Sequence, residues 1–211
     1  MPGRLPPRAV RGLLLAGLAA CLGLAGCGAP SPRESAGGTV PSDRPRAALI
    51  PFENLAGREE QGALFTKVFF AQIAASGALE MVEPGRVDEM MDSLSIRSGG
   101  SLTPAQIRAL ADSLHATHVL LGSVLESGKV QTGSGDVPAV GATLRLVEAA
   151  TGRVLWAGVH FRTGEDRETV FGWGRQGSLE RLVSELATDM LRDFRQAGAL
   201  YARRSRVEGT K

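Results

Sequence analysis

Ala47-Ala48-Leu49-Ile50-Pro51-Phe52 is a short apolar run closed by a proline. A run of this length reads as a buried strand ending at Pro51, because proline cannot donate to a central ladder. Glu53-Asn54-Leu55-Ala56-Gly57 follows as a loop. From Glu59 to Ser76 the residues Phe65, Phe69 and Ile73 recur at helical spacing, with Leu64 and Val68 beside them. That pattern predicts an amphipathic helix, with Glu59 and Glu60 near the positive end of its dipole and Gly77 as its stop. Leu79-Glu80-Met81-Val82-Glu83 then alternates and ends at Pro84-Gly85, a second strand. Strand, helix and strand in this order make a βαβ half.

Downstream, Val87, Met90, Met91 and Leu94 predict a short helix, and Ser98-Gly99-Gly100-Ser101 a loop. Thr103-Pro104-Ala105-Gln106 reads as a helix start, with Thr103 as N-cap, Pro104 in the first helical position and Gln106 closing a capping box. Ile107, Leu110, Ala111 and Leu114 form the buried stripe of that helix. Thr117–Leu125 is a third strand, Val140–Val147 an alternating fourth, and Val154–Phe161 a fifth after the turn residues 149–152. Ser178–Phe194 carries Leu179, Leu182, Val183, Leu186, Met190 and Phe194 on one face of a last helix. The order β-α-β-α-α-β-β-β-α predicts a single α/β domain with a mixed sheet, a βαβ half followed by an antiparallel meander and a C-terminal helix.

The N-terminus points to the compartment. Arg4, Arg8 and Arg11 precede an uncharged run, Gly12–Gly26, that is too short to span a bilayer core. Residues 1–26 therefore read as a secretory signal removed from the mature chain. The run ends in Leu24-Ala25-Gly26-Cys27, which resembles a bacterial lipobox, and the resemblance implies that Cys27 is acylated and becomes the first residue. Leu18-Ala19-Ala20-Cys21 also fits a lipobox but would strand Leu22–Ala25 on the mature end, so Cys27 is preferred. Several acyl chains give stable anchoring where one would be marginal. Gly28 after the Cys, in place of an Asp, favours the outer membrane. Residues 27–45 are rich in Pro, Gly and Ser and read as a lipidated Cys with a flexible tether; eight of the 11 prolines lie in the first 51 residues.

Removal of residues 1–26 takes three arginines from the 24 basic residues, leaving 21 against 22 acidic ones and a mature charge of −1. No basic footprint for nucleic acid remains. Cys21 and Cys27 are the only cysteines, so no disulfide framework, thiolate metal site or cysteine nucleophile is expected.

Candidate chemistry is sparse. Gly172-Trp173-Gly174-Arg175-Gln176-Gly177 is a literal G-x-G-x-x-G, but no strand with an acidic end follows the helix after it, as a dinucleotide site requires. The bland reading is a glycine-hinged loop presenting Phe171 and Trp173. His115 and His118 straddle a helix end and a strand start, and His160 is remote in sequence, so no metal site is expected. Residues 165–168 (Glu-Asp-Arg-Glu) read as a solvated loop. Arg203, Arg204, Arg206 and Lys211 against Glu208, with Arg195 just before them, make residues 197–211 a basic tail, read as a disordered solubilising segment ahead of the alternative, contact with anionic envelope polymer or lipid. No catalytic residue and no cofactor is expected, and the chain reads as non-enzymatic.

Leu49–Leu55, Leu79–Glu83, Ala116–Val124 and Leu144–Trp156, in this order, resemble the CsgG-like family of bacterial envelope lipoproteins, whose fold is shared by the penicillin-binding-protein activator LpoB. The resemblance spans roughly residues 46–195, and the domain is bounded as 46–196. It implies an outer-membrane-anchored lipoprotein in the periplasm that assists secretion or assembly of cell-surface material through envelope protein partners, with a homo-oligomer among the options. The alternative it carries is an LpoB-like activator of a peptidoglycan synthase. Pore-forming members insert two long membrane-spanning hairpins. Here residues 126–139 are short and polar and residues 163–177 are similarly short, so no transmembrane barrel is expected.

Overall fold

The computed structural model describes residues 44–57, 60–100, 102–133, 135–166 and 177–208. The predicted signal segment, Cys27, the tether as far as residue 43 and residues 172–176 of the glycine loop lie outside them. Six strands form one open mixed sheet: β1 (Arg46–Leu49), β2 (Glu53–Asn54), β3 (Glu80–Met81), β4 (His118–Thr132), β5 (Gly135–Glu148) and β6 (Val154–Thr163). The strand order is β3-β1-β4-β5-β6, with β2 also paired to β4. β1 runs parallel to β3 and β4, while β4, β5 and β6 form the antiparallel meander.

Among the described residues four helices cover the two faces. Helices α1 (Glu60–Ser76) and α4 (Leu179–Glu208) lie on one face, and α2 (Pro84–Ser93) and α3 (Pro104–Leu114) on the other. The alternation of β1 explains why its sequence is apolar throughout. Ala47 and Leu49 enter the core under α1 and α4, and Ala48 and Ile50 enter the core under α2 and α3. The first core holds Phe52, Phe65 and Phe69 with Leu182, Leu186 and Met190; the second holds Val87, Ile107, Leu110 and Leu114 with Val119 and Leu121. No described helix is long and apolar enough to cross a membrane.

The N-terminus of α3 forms as predicted. Thr103 Oγ1 accepts from the Gln106 amide and the Gln106 side chain accepts from the Thr103 amide, a complete capping box with Pro104 in the first turn.

Three readings are corrected by the fold. Glu53–Asn54, read as loop, forms the short parallel strand β2 against Ser123–Val124, and the Leu55 amide donates to the Val124 carbonyl at 3.0 Å. The polar stretch 126–139, read as a gap, continues β4 and β5 into a hairpin paired as far as Thr132 and Gly135, past a bulge at Leu125. Main-chain pairing, indifferent to side-chain polarity, holds this extension. The last helix does not stop at Phe194 but runs to Glu208, so residues 197–208 of the basic tail are helical where disorder was read.

Gly62 sets how closely α1 approaches the sheet. A Cβ there would come 2.6 Å from the Phe52 carbonyl oxygen, which is backbone and cannot swing aside. Thr66 locks the same contact: its hydroxyl accepts from the Phe52 amide at 2.8 Å and donates to the Gly62 carbonyl at 2.7 Å. In an unconstrained helix Gly→Ala gains up to about 1 kcal/mol of propensity, whereas overpacking costs roughly 1–3 kcal/mol. Gly62→Ala should therefore destabilise on balance, read as a lower urea midpoint; a higher midpoint would show that α1 can move outward at no cost.

Candidate functional site

The crevice where open α/β sheets commonly take ligands lies beyond the C-terminal ends of the parallel strands, at the point where the winding reverses. Here β1–α1–β3 covers one face and β3–α2–α3–β4 the other, which puts that point at the end of β1. The α2–α3 loop fills it. A Cβ at Gly99 would stand 2.6 Å from Ile50 Cγ2, and the Ser98 hydroxyl donates to Glu53 Oε1 at 3.0 Å. Gly99, and Gly100 where a Cβ would run into the Glu53 carboxylate, are what allow the loop to lie so near β1.

The histidines do not converge. His115 ends α3 in the left-handed conformation with φ 51°. His118 pairs with Glu148 across β4 and β5, and its Nδ1 lies 2.8 Å from Thr117 Oγ1. Burial lowers the His118 pKa, opposed by the nearby Glu148 charge. His160 faces α4 from β6, with Nε2 2.9 Å from Asp193. Among the described residues no three metal-binding side chains gather at one place. Of the acidic loop, Asp166 accepts from the Thr163 amide at 3.1 Å, closing the turn after β6, and Glu165 accepts from the Thr132 hydroxyl at 2.9 Å.

The feature that stands out is β6. Its register with β5 puts Trp156, Gly158, His160 and Arg162 under α4 and turns Val154, Ala157, Val159 and Phe161 to the other face. The covered face is tied down. The Trp156 indole lies across Gly158, where a Cβ would be 2.7 Å away, and meets Phe194 edge to face with ring centroids 5.3 Å apart. Glu185, Asp189 and Asp193 recur every fourth residue on α4 and so form one acidic stripe. Against it, Arg162 donates Nε–H to Asp189 at 2.8 Å, a second guanidinium N–H also reaches Asp189, and Glu185 lies 3.8 Å from the same guanidinium. Arg192 and Arg181 pair with Asp189 and Glu185 from the outer side, at 3.0 Å and 3.5 Å. Burial pushes the Asp189 pKa up, but the hydrogen bond and charge of Arg162, helped by Arg192 and His160, outweigh it and hold the carboxyl below its usual value. The hydrogen bond to Asp189 likewise raises Arg162 above the usual arginine value.

The other face of β6 is bare. Val159 is 59% exposed and Phe161 61%, and the Phe161 ring lies flat over its cross-strand partner Gly141, where a Cβ would be 2.4 Å away. Among the described residues no strand lies beyond β6 and none pairs with its far edge, the place where sheets commonly take another strand. Val154 to Phe161 contains no Lys, Arg, Asp, Glu or Pro, the residue types that commonly blunt such an edge. Reading the sequence for motifs missed both sides of this strand. The alternation Ala157, Val159, Phe161 and the spacing of the three acids on α4 were the available signals.

No protein-family model matches the chain, and no curated protein sequence matches it. Its fold is similar to that of the lipoprotein GNA1162 from Neisseria meningitidis, with a TM-score of 0.51 and 18% identity over 72% of this chain and 99% of that one. The PelC dodecamer subunit from Paraburkholderia phytofirmans gives a TM-score of 0.49 at 22% identity, covering 70% of this chain and 85% of that one. The C-terminal domain of Escherichia coli LpoB gives 0.43 at 18% identity, covering 56% and 82%. At these identities the likeness to GNA1162 is one of fold. It agrees with the mixed α/β architecture expected from the element order.

Proposed function

We propose that this chain is a non-enzymatic lipoprotein of the CsgG-like kind. It is anchored by acylated Cys27 to the inner leaflet of the outer membrane, faces the periplasm, and assists secretion or assembly of cell-surface material through protein–protein contacts. The observation that carries the contact reading is the uncovered apolar edge of β6. A rigid strand that exposes Val159 and Phe161 without a blunting charge is a surface built for another polypeptide. The plugged crevice at the end of β1 supports a non-catalytic role, and the lipoprotein fold neighbour supports the envelope placement.

The second reading, an LpoB-like activator of a peptidoglycan synthase, draws on the tether Gly28–Pro45. At about 5–6 Å × √n such a tether spans on average some 20–25 Å, a short reach toward a synthase across the periplasm, so this reading ranks second. Deleting the chain from its host separates the two. Loss of exported surface material at an unchanged rate of cell-wall synthesis supports the first reading, and the converse supports the second. The anchor has its own test. Cys27→Ala should abolish incorporation of labelled fatty acid and release the protein from the outer-membrane fraction into the soluble periplasm. Label that persists would move the site to Cys21 or remove the anchor.

A further inference from the structure

We infer that the far edge of β6 is covered by β6 of a second copy of this chain, running antiparallel with the two-fold axis at Val159; this rests on reading that edge as a protein-contact surface.

The main-chain geometry selects the register. Ladder groups alternate in direction along an antiparallel strand. The Gly164 amide donates inward to the Pro138 carbonyl at 2.8 Å, so the even-numbered residues back to Trp156 share the inward direction across the β5 pairing. Ala157, Val159 and Phe161 therefore point their N–H and C=O groups outward, away from β5. They are also the residues whose side chains are turned away from α4. An axis through Val159 exchanges main-chain bonds between the two valines and between Ala157 and Phe161 of the second copy, and the reverse, about six bonds in all. The bulge at Leu155 ends the regular edge on one side and the turn after Thr163 ends it on the other, so Val159 is close to the middle of what can pair.

The side chains fit that register. Each Phe161 ring falls opposite an Ala157, a large side chain against a small one, and valine meets valine on the axis. Charge is complementary at the ends. Arg153 stands before the strand, 70% exposed, and Glu165 and Asp166 stand after it. Antiparallel pairing brings the basic start of one strand beside the acidic end of the other, twice. A parallel partner, or a register shifted by two residues, loses both the large-to-small match and the pairing of opposite ends. The ion pair of Arg162 and the contact of His160 with Asp193 hold the strand against its helix, so the edge is presented already ordered.

The test uses the full chain in bacterial membranes. Val159→Cys places two thiols on the axis, where the Cα separation of a hydrogen-bonded pair lies within disulfide reach. Mild oxidation should convert more than about half of the Val159→Cys chains to a covalent dimer of this protein. Leu55→Cys, as exposed but remote from β6, and Val154→Cys, beyond the bulge, should stay at the background given by the unmodified chain. Val159→Lys sets like charges on the axis and should raise the dimer dissociation constant by roughly tenfold or more in mild detergent, with an unchanged circular dichroism spectrum. Dimer yield at Val159→Cys no higher than at Leu55→Cys overturns the proposal. A cross-link from Val159→Cys to a different polypeptide, without homodimer, overturns the second-copy assignment and leaves the contact reading standing. No cross-link of either kind removes both.

Discussion

Phe69→Ala should be the most damaging single truncation in the core, lowering stability by about 3–5 kcal/mol. For a domain of this size that is a drop in Tm of roughly 6–20 °C. Phe69 is fully buried, and its ring sits 4.8 Å from Phe52 and 6.3 Å from Phe65, the latter stacked. Phe52 in turn lies over Gly122, where a Cβ would come 2.5 Å from its ring. The trio is pinned between the Phe52 amide, held by Thr66 of α1, and the face of β4 at Gly122, so the walls cannot close on the space that Phe69 leaves. Phe161→Ala is the internal control. It removes a ring of the same kind from an exposed cross-strand site, where such pairs contribute about 0.2–1 kcal/mol. Thermal unfolding of the two variants side by side checks the contrast. Equal losses would mean that Phe161 is buried in the folded protein, as it would be inside a dimer that survives the measurement, and dilution would then separate the two.

What could be read in advance divides by the range of the interaction. The capping box of α3 was legible because Thr103, Pro104 and Gln106 are neighbours whose chemistry is local. β1 was legible because strands buried on both faces leave an unbroken apolar signature. β2 was not, since two residues cannot show a period and its existence depends on Ser123–Val124 some seventy residues away. The hairpin beyond Leu125 was hidden by its own composition: Gly128, Lys129 and Gln131 look like a loop, and only the pairing with β5 makes them strand. The end of α4 was misplaced because the apolar stripe stops at Phe194 while the helix continues on backbone bonds and helix-favouring Arg and Ala. Cys27 stands in the sequence through four local residues and lies outside the described ones. The exposed face and edge of β6 needed the sheet order, since no sequence signal says that a strand is the last one in its sheet.

The ion pairs behind that strand give the second large effect. Arg162→Met keeps about the length of the aliphatic stem and removes the charged guanidinium, leaving Asp189 and Glu185, only 19% and 15% exposed, facing an apolar group. Removing one partner of a fully buried pair costs roughly 3–5 kcal/mol, and this pair is part-buried. Arg192 and Arg181 still reach the two carboxylates from outside, which places the expected loss near the lower end, about 3 kcal/mol at neutral pH. The pH dependence separates this cause from lost packing. In the native chain Asp189 titrates below its ordinary value, so its contribution is complete above the unfolded carboxyl pKa, near about 4, and is lost as pH falls through the lower folded value. In the variant Asp189 keeps its burial without the Arg162 guanidinium, and burial pushes its carboxyl up. That cost is relieved as pH falls toward the acid range, so the variant gains on acidification where the native chain does not. Urea midpoints of the two proteins should therefore approach each other between neutral pH and about pH 4.5. A gap that stays constant would assign the loss to poorer packing of methionine than of the guanidinium under α4, and would leave β6 held by Trp156 and Phe194 instead of by charge.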